Sequence, residues 1–166
     1  MSTDILTAEL IRELLSYEVE TGIFKWKKSI GARSKVGKVA GCLNKGTGYY
    51  YIKIFGKSHF AHRLAWLHVY GHWPDLVIDH INGIIGDNRI CNLRDVDRKA
   101  NSQNQLKAHK NNLSTGLIGA AKNGNKFRAA IRFNGVMKHI GNFNTPQEAH
   151  LAYIAAKRVM HVGCTL

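Results

Sequence analysis

Apolar positions along the chain switch between helical spacing and strict alternation, and the switches mark out the elements. Leu10, Ile11, Leu14 and Leu15 share one helical face behind Thr7, a residue type suited to capping a helix start. Thr21-Gly22 turns the chain into Ile23-Phe24-Lys25-Trp26, which alternates as a strand does. Residues 27–48, rich in Lys, Gly and Ser, read as a loop. Gly48 then leads into Tyr49-Tyr50-Tyr51-Ile52-Lys53-Ile54, a β-rich run with a hairpin turn at Phe55-Gly56-Lys57-Ser58. The tyrosines either stack nucleobases or serve as half-buried strand residues. Helical spacing returns from Ala61 to Tyr70 and stops at Gly71 and Pro74. Residues 76–81 and 93–97 are strand-like around a loop at 82–92, and 98–105 suit a polar helix.

Residues 106–115 contain few large apolar groups and read as a basic linker, which sets a domain boundary between 1–105 and 116–166. Beyond it, strands are predicted at 117–122, 126–133 and 136–141, joined by turns at Asn123-Gly124-Asn125 and Asn134-Gly135. Thr145-Pro146-Gln147-Glu148 carries a cap residue, a proline and a capping-box glutamate in the right order to start a helix. Its apolar stripe is predicted as Ala149, Ala152, Tyr153, Ala156, Val159 and Met160, to be covered by a sheet. On the strand 126–133, alternation puts Phe127, Ala129, Ile131 and Phe133 toward that helix and Lys126, Arg128, Ala130 and Arg132 on the open face. The whole is an α+β chain.

Charge narrows the range of partners. The 166 residues carry 24 Lys and Arg against 11 Asp and Glu, a formal net charge of +13. Residues 106–166 hold nine basic residues and one acid, Glu148. Such a surplus favours a polyanion, nucleic acid ahead of acidic lipid. No apolar run approaches the ~20 residues of a membrane span, and the N-terminus lacks the pattern of a signal peptide. Cys42, Cys91 and Cys164 form no Cys-x-x-Cys pair and read as reduced thiols, so a cytoplasmic location and no membrane partner are expected.

The chemistry concentrates in Ile78-Asp79-His80-Ile81-Asn82-Gly83, Asp87-Asn88-Arg89-Ile90-Cys91-Asn92-Leu93-Arg94 and Asn101-Ser102-Gln103-Asn104. Asp79 and His80 adjoin on a strand, so their side chains point to opposite faces unless the strand twists or ends there. A functional reading requires that irregular edge, with the polar helix bringing Asn101 alongside. A carboxylate and an amide oxygen, completed by water and phosphate, suit Mg²⁺. A neutral histidine beside them can take a proton from a water attacking a phosphodiester. The plainer alternative is a surface Asp-His pair followed by Asn-rich turns.

These blocks, with His62-Arg63-Leu64-Ala65-Trp66 before them, resemble the HNH (ββα-metal) nuclease motif of phage homing endonucleases across residues 62–104. The resemblance implies a β-hairpin with a long loop packed on a helix over one divalent ion, Mg²⁺ with Mn²⁺ able to substitute. It makes His80 the general base, Asp79 and Asn101 the metal ligands, and Asn92 the residue that orients His80 and braces the loop. Arg89 is assigned to phosphate contact or loop bracing. His62 either supports the site or DNA contact, or is purely structural. The chain departs from many relatives at Ile84-Ile85-Gly86, where a polar or acidic residue commonly follows the Asn-Gly. The stretch from Leu6 to Tyr49 resembles the leader that precedes this motif in phage and prophage nucleases.

From Thr115-Gly116 to His161 the chain is similar to the Apetala-two/ERF DNA-binding domain, on Lys126-Phe127-Arg128-Ala129, Gly141-Asn142-Phe143-Asn144-Thr145 and Glu148-Ala149 to Tyr153. That likeness implies a three-stranded antiparallel sheet laid in the major groove and braced by one helix. Lys126, Arg132 and His139 stand at its DNA-contact positions, and Arg128 shares their face. The first strand, Gly119-Ala120-Ala121-Lys122, lacks the Arg or aromatic residue often found there. Together the resemblances imply a metal-dependent endonuclease for double-stranded DNA, with a homodimer as one route to double-strand cleavage. The rivals are a catalytically inactive DNA-binding regulator on the same fold and an RNA-binding protein.

Overall fold

The computed structural model describes residues 6–104, 108, 112–161 and 164–165. The chain divides into two compact units, Met1–Val96 and Asp97–Leu166. Residues 106–107 and 109–111 of the predicted linker lie outside the described residues. No helix is long and apolar enough to cross a membrane among the described residues.

The first unit opens with α1 (Ala8–Leu14), whose cap is the one expected: Thr7 Oγ1 accepts from Leu10 N at 3.3 Å. Leu15 leaves the helix to begin β1 (Leu15–Glu18), a strand not predicted, which pairs antiparallel with β2 (Ile23–Trp26). Gly22, in the turn between them, has φ of 72°. A Cβ there would stand 2.5 Å from the backbone of Asn88 and of Arg89, so glycine lets this hairpin press against a distant loop.

The loop over residues 27–48 includes a short strand, β3 (Cys42–Leu43). It forms a three-stranded sheet with β4 (Tyr50–Ile54) and β5 (Lys57–Phe60) in the order β3-β4-β5. Then come α2 (Ala61–Tyr70), closed by Gly71 at φ 82°, and the antiparallel pair β6 (Val77–His80) and β7 (Leu93–Val96). Ile11 and Leu14 of α1, Leu15, Phe24, Ile52 and Ile54, Leu64 and Leu67 of α2, Ile78 and Leu93 are buried in one core. Each such side chain contributes about 1.5–3 kcal/mol by leaving water. The core therefore anchors the first half of α2 and both strands of the β6–β7 pair.

The second unit starts with α3 (Arg98–Gln103), capped by Asp97 Oδ1 on Ala100 N at 2.7 Å. An antiparallel sheet follows, ordered β10-β9-β8, from β8 (Ala120–Asn123), β9 (Lys126–Phe133) and β10 (Val136–Phe143). Asn134 and Gly135, at φ 50° and 81°, make the two-residue hairpin turn between the last two. The helix α4 (Pro146–Met160) carries the predicted capping box, with Thr145 and Glu148 serving each other's backbone. Ala120, Ala129 and Ala149 close the sheet–helix interface, flanked by Phe127, Phe143 and Tyr153. The stripe needs one correction. Val159 is 87% exposed, while Lys157 is buried, because the sheet lies along positions 149, 153 and 157 of α4 and not along 159.

Candidate active site

The site lies where β6 stops. Its last two residues, Asp79 and His80, are both buried, on opposite sides of the strand as alternation demands. Asp79 faces Arg94 directly across the ladder, and Arg94 Nε and Nη2 reach Asp79 Oδ2 at 2.9 and 2.7 Å. His80 meets the helix side: its ring lies edge-on to His62 of α2 with centroids 5.2 Å apart, and 6.1 Å from the ring of Tyr49. The strand turns away at once, Gly83 N donating to His80 O at 2.8 Å.

The loop between β6 and β7 is held by its own polar side chains. Asn92, buried, accepts from Asn82 N at 2.9 Å through Oδ1 and donates to Asp87 O at 2.9 Å through Nδ2. Asp87 takes Arg89 Nε and Nη2 at 2.8 and 2.6 Å and Asn82 Nδ2 at 2.8 Å. These donors hold its carboxyl at about 2, below the usual carboxylate range, with the Arg89 hydrogen bonds as the main cause. Asn88 sits next in sequence, buried, with Oδ1 3.5 Å from His80 Nε2. Its backbone oxygen accepts from Tyr17 Oη of β1 at 2.7 Å, which ties the β1–β2 hairpin to the same loop.

Burial lowers the pKa of His80, against smaller opposing effects from Asn88, Asp79 and Asp87. His62 is pushed down to about 3, first by burial and then by His80 and Arg63. Both rings are therefore neutral at pH 7. A neutral imidazole can accept a proton without first losing one.

Residues 59–103 match the family model described as HNH endonuclease. No curated protein and no solved structure matches the chain. The matched stretch runs from β5 through α2, the β6–β7 pair and α3, so it contains Asp79, His80, Asn92 and Asn101 together.

Of the predicted residues, the structure gathers Asp79, His80, Arg89 and Asn92 around the end of β6 and its loop. Asn92 bonds Asn82 N and Asp87 O across the loop. Arg89 pairs with Asp87 while its side chain stays 43% exposed. His62 packs on His80, buried and away from solvent. Asn101 lies on α3, half-buried, in the second unit. Two contributors were not singled out from sequence, Asn88 and Asp87; both sat inside the quoted Asp87-Asn88-Arg89 block, where a turn explains them equally well.

Asp79 offers one buried carboxylate at the end of β6, engaged by Arg94, and among the described residues no three His, Cys, Asp or Glu side chains cluster. A single carboxylate is compatible with a hard cation that keeps most of its own water.

The second unit presents the other predicted set. Lys126, Arg128, Arg132 and His139 are all exposed. Register places them on one face: Arg128 opposite Asn142, Ala130 opposite His139, and Arg132 opposite Met137. Phe127, Ala129, Ile131 and Phe133 are buried or half-buried on the reverse, so the alternation read from sequence is the alternation observed.

Proposed function

We propose that the chain is a divalent-metal-dependent endonuclease that nicks or cleaves double-stranded DNA by hydrolysing phosphodiester bonds. The observation that carries this reading is the neutral, buried His80 beside the buried Asp79 at the end of β6, within the segment that matches HNH endonucleases. Asn88 Oδ1 lies 3.5 Å from His80 Nε2 and helps to orient the ring. His80 takes a proton from a water. The water oxygen attacks phosphorus in line, the bond from phosphorus to the 3′ oxygen breaks, and the leaving oxygen is protonated from solvent. Asp79 would hold a divalent cation, and that ion would supply positive charge near the phosphate and the leaving oxygen. Asn92 and the Asp87–Arg89 pair hold the loop in the shape that keeps Asn88 against His80. The cationic face of Lys126, Arg128, Arg132 and His139 binds the duplex.

A supercoiled plasmid incubated with Mg²⁺ tests this. Wild type is expected to nick, and His80→Ala to lose cutting by a factor of about 10²–10⁴, the range of general acid–base catalysis, with DNA affinity retained. One His80 per chain cuts one strand per engagement, so open circles should accumulate before linear DNA. The contact of Arg94 with Asp79 is the specific observation that favours the alternative, a DNA-binding regulator whose carboxylate is committed to a structural pair. Binding without cutting by wild type on any DNA would establish that alternative.

A further inference from the structure

The first unit carries a surface that the nuclease chemistry does not use. From Thr21 to Pro74 the sequence has ten Lys and Arg and no Asp or Glu. Among the described residues, Lys25, Arg33, Lys35, Lys38, Lys53 and Lys57 are exposed and make no ion pair. The open face of the β3-β4-β5 sheet presents Cys42, Tyr51, Lys53 and Ser58, since Ile52 and Ile54 point into the core. Against it lies the loop carrying Ile30 to Ser34, with Trp26 at the base and Phe55 at the rim, and these enclose a groove of about 500 Å³.

Phe55 is the unusual member. It sits at φ 46° with Gly56 at 82°, both positive as a two-residue hairpin turn requires. The β9–β10 hairpin of the same chain fills the corresponding positions with Asn134 and Gly135, the pair best suited to that backbone. A bulky aromatic at positive φ is a strained choice, and this one gains no core contact in exchange, being 60% exposed between Lys53 and Lys57.

We infer that the β4–β5 hairpin and the groove beside it bind a single DNA strand, with Phe55 stacking on an unpaired base and Arg33, Lys53 and Lys57 taking the flanking phosphates. Aromatic platforms between cations are how proteins hold single strands, because stacking needs a base released from its pair. The groove admits a nucleotide-sized group and not a duplex. The inference rests on the endonuclease reading for the choice of DNA as polymer.

The test is a binding titration of the full chain in chelator, with fluorescein-labelled oligothymidylate and with a blunt duplex of equal length. No cutting step enters, so failure here and failure of the endonuclease reading are separate results. Phe55→Asn places the better turn residue at the tip, so its melting temperature should rise while oligothymidylate affinity falls about tenfold. Phe55→Trp should restore affinity. Lys53→Ala and Lys57→Ala should each flatten the logarithmic salt dependence of single-strand binding by about 0.7. Unchanged oligothymidylate binding by Phe55→Asn, or a fall in its melting temperature, would overturn the assignment. So would an equal loss of duplex binding.

Discussion

Two histidines at van der Waals range, both kept neutral, make the site's stability depend on pH in a definite direction. Folded His62 holds its proton only below about 3, whereas in the unfolded chain it takes one near 6.5. The unfolded state therefore binds more protons between those limits, and stability falls as the pH drops from 6.5 toward 3. The lowered pKa of His80 acts in the same direction. The slope from His62 is at most one proton, about 1.4 kcal/mol per pH unit. His62→Phe keeps the packing against Tyr49 and Phe60 and removes the proton site. Its melting temperature should decline less steeply than wild type over that window, as followed by thermal unfolding at a series of pH values. Parallel curves would show that His62 titrates normally.

At the scale of elements, the β1–β2 hairpin positions the loop between β6 and β7. Tyr17 of β1 bonds the Asn88 carbonyl, and Gly22 lets the β1–β2 turn lie against the Asn88–Arg89 backbone. Gly22→Ala meets both a positive φ and a backbone clash, so either the hairpin or residues 88–89 must move. The expected result is a loss of a few kcal/mol in stability and a fall in cutting of about tenfold or more, with duplex binding by the second unit preserved. Tyr17→Phe removes only the hydrogen bond and should cost about 1 kcal/mol. Denaturant unfolding and nicking rates on both variants check the pair. None of this coupling is visible from the sequence. Helix starts were legible because Thr7, Thr145 and Glu148 satisfy orphan amides locally, and the Asn134-Gly135 turn because its backbone geometry selects those residues. Strand β1 was not legible: Leu15 continues the helical apolar spacing, and only pairing with β2 makes it extended. Lys157 was not legible either, since a long aliphatic stem can be buried over Tyr153 where its charge suggests solvent. Asp79, His80 and Asn92 could be read as chemistry from residue type and order, but Asn88 owes its place at His80 to a loop fold that no local pattern encodes.

For the molecule as a whole, the proposed function assigns holding of the duplex to the second unit and cutting to the first. The second unit's sheet carries its cations on the face away from α4, where nothing in the hydrophobic core depends on them. Removing one should therefore change affinity and leave chemistry at the saturating limit untouched. Arg132→Ala is the informative variant, because Arg132 is exposed and pairs across the ladder with uncharged Met137. If Arg132 meets a phosphate, duplex affinity falls and the slope of log affinity against log salt flattens by about 0.9, the release of one counterion. The nicking rate at saturating protein should match wild type, while the concentration needed for saturation rises. A contact to a base edge would instead cost affinity on particular sequences at an unchanged salt slope. An Arg132→Ala protein with wild-type affinity and slope would remove this face from the duplex interface.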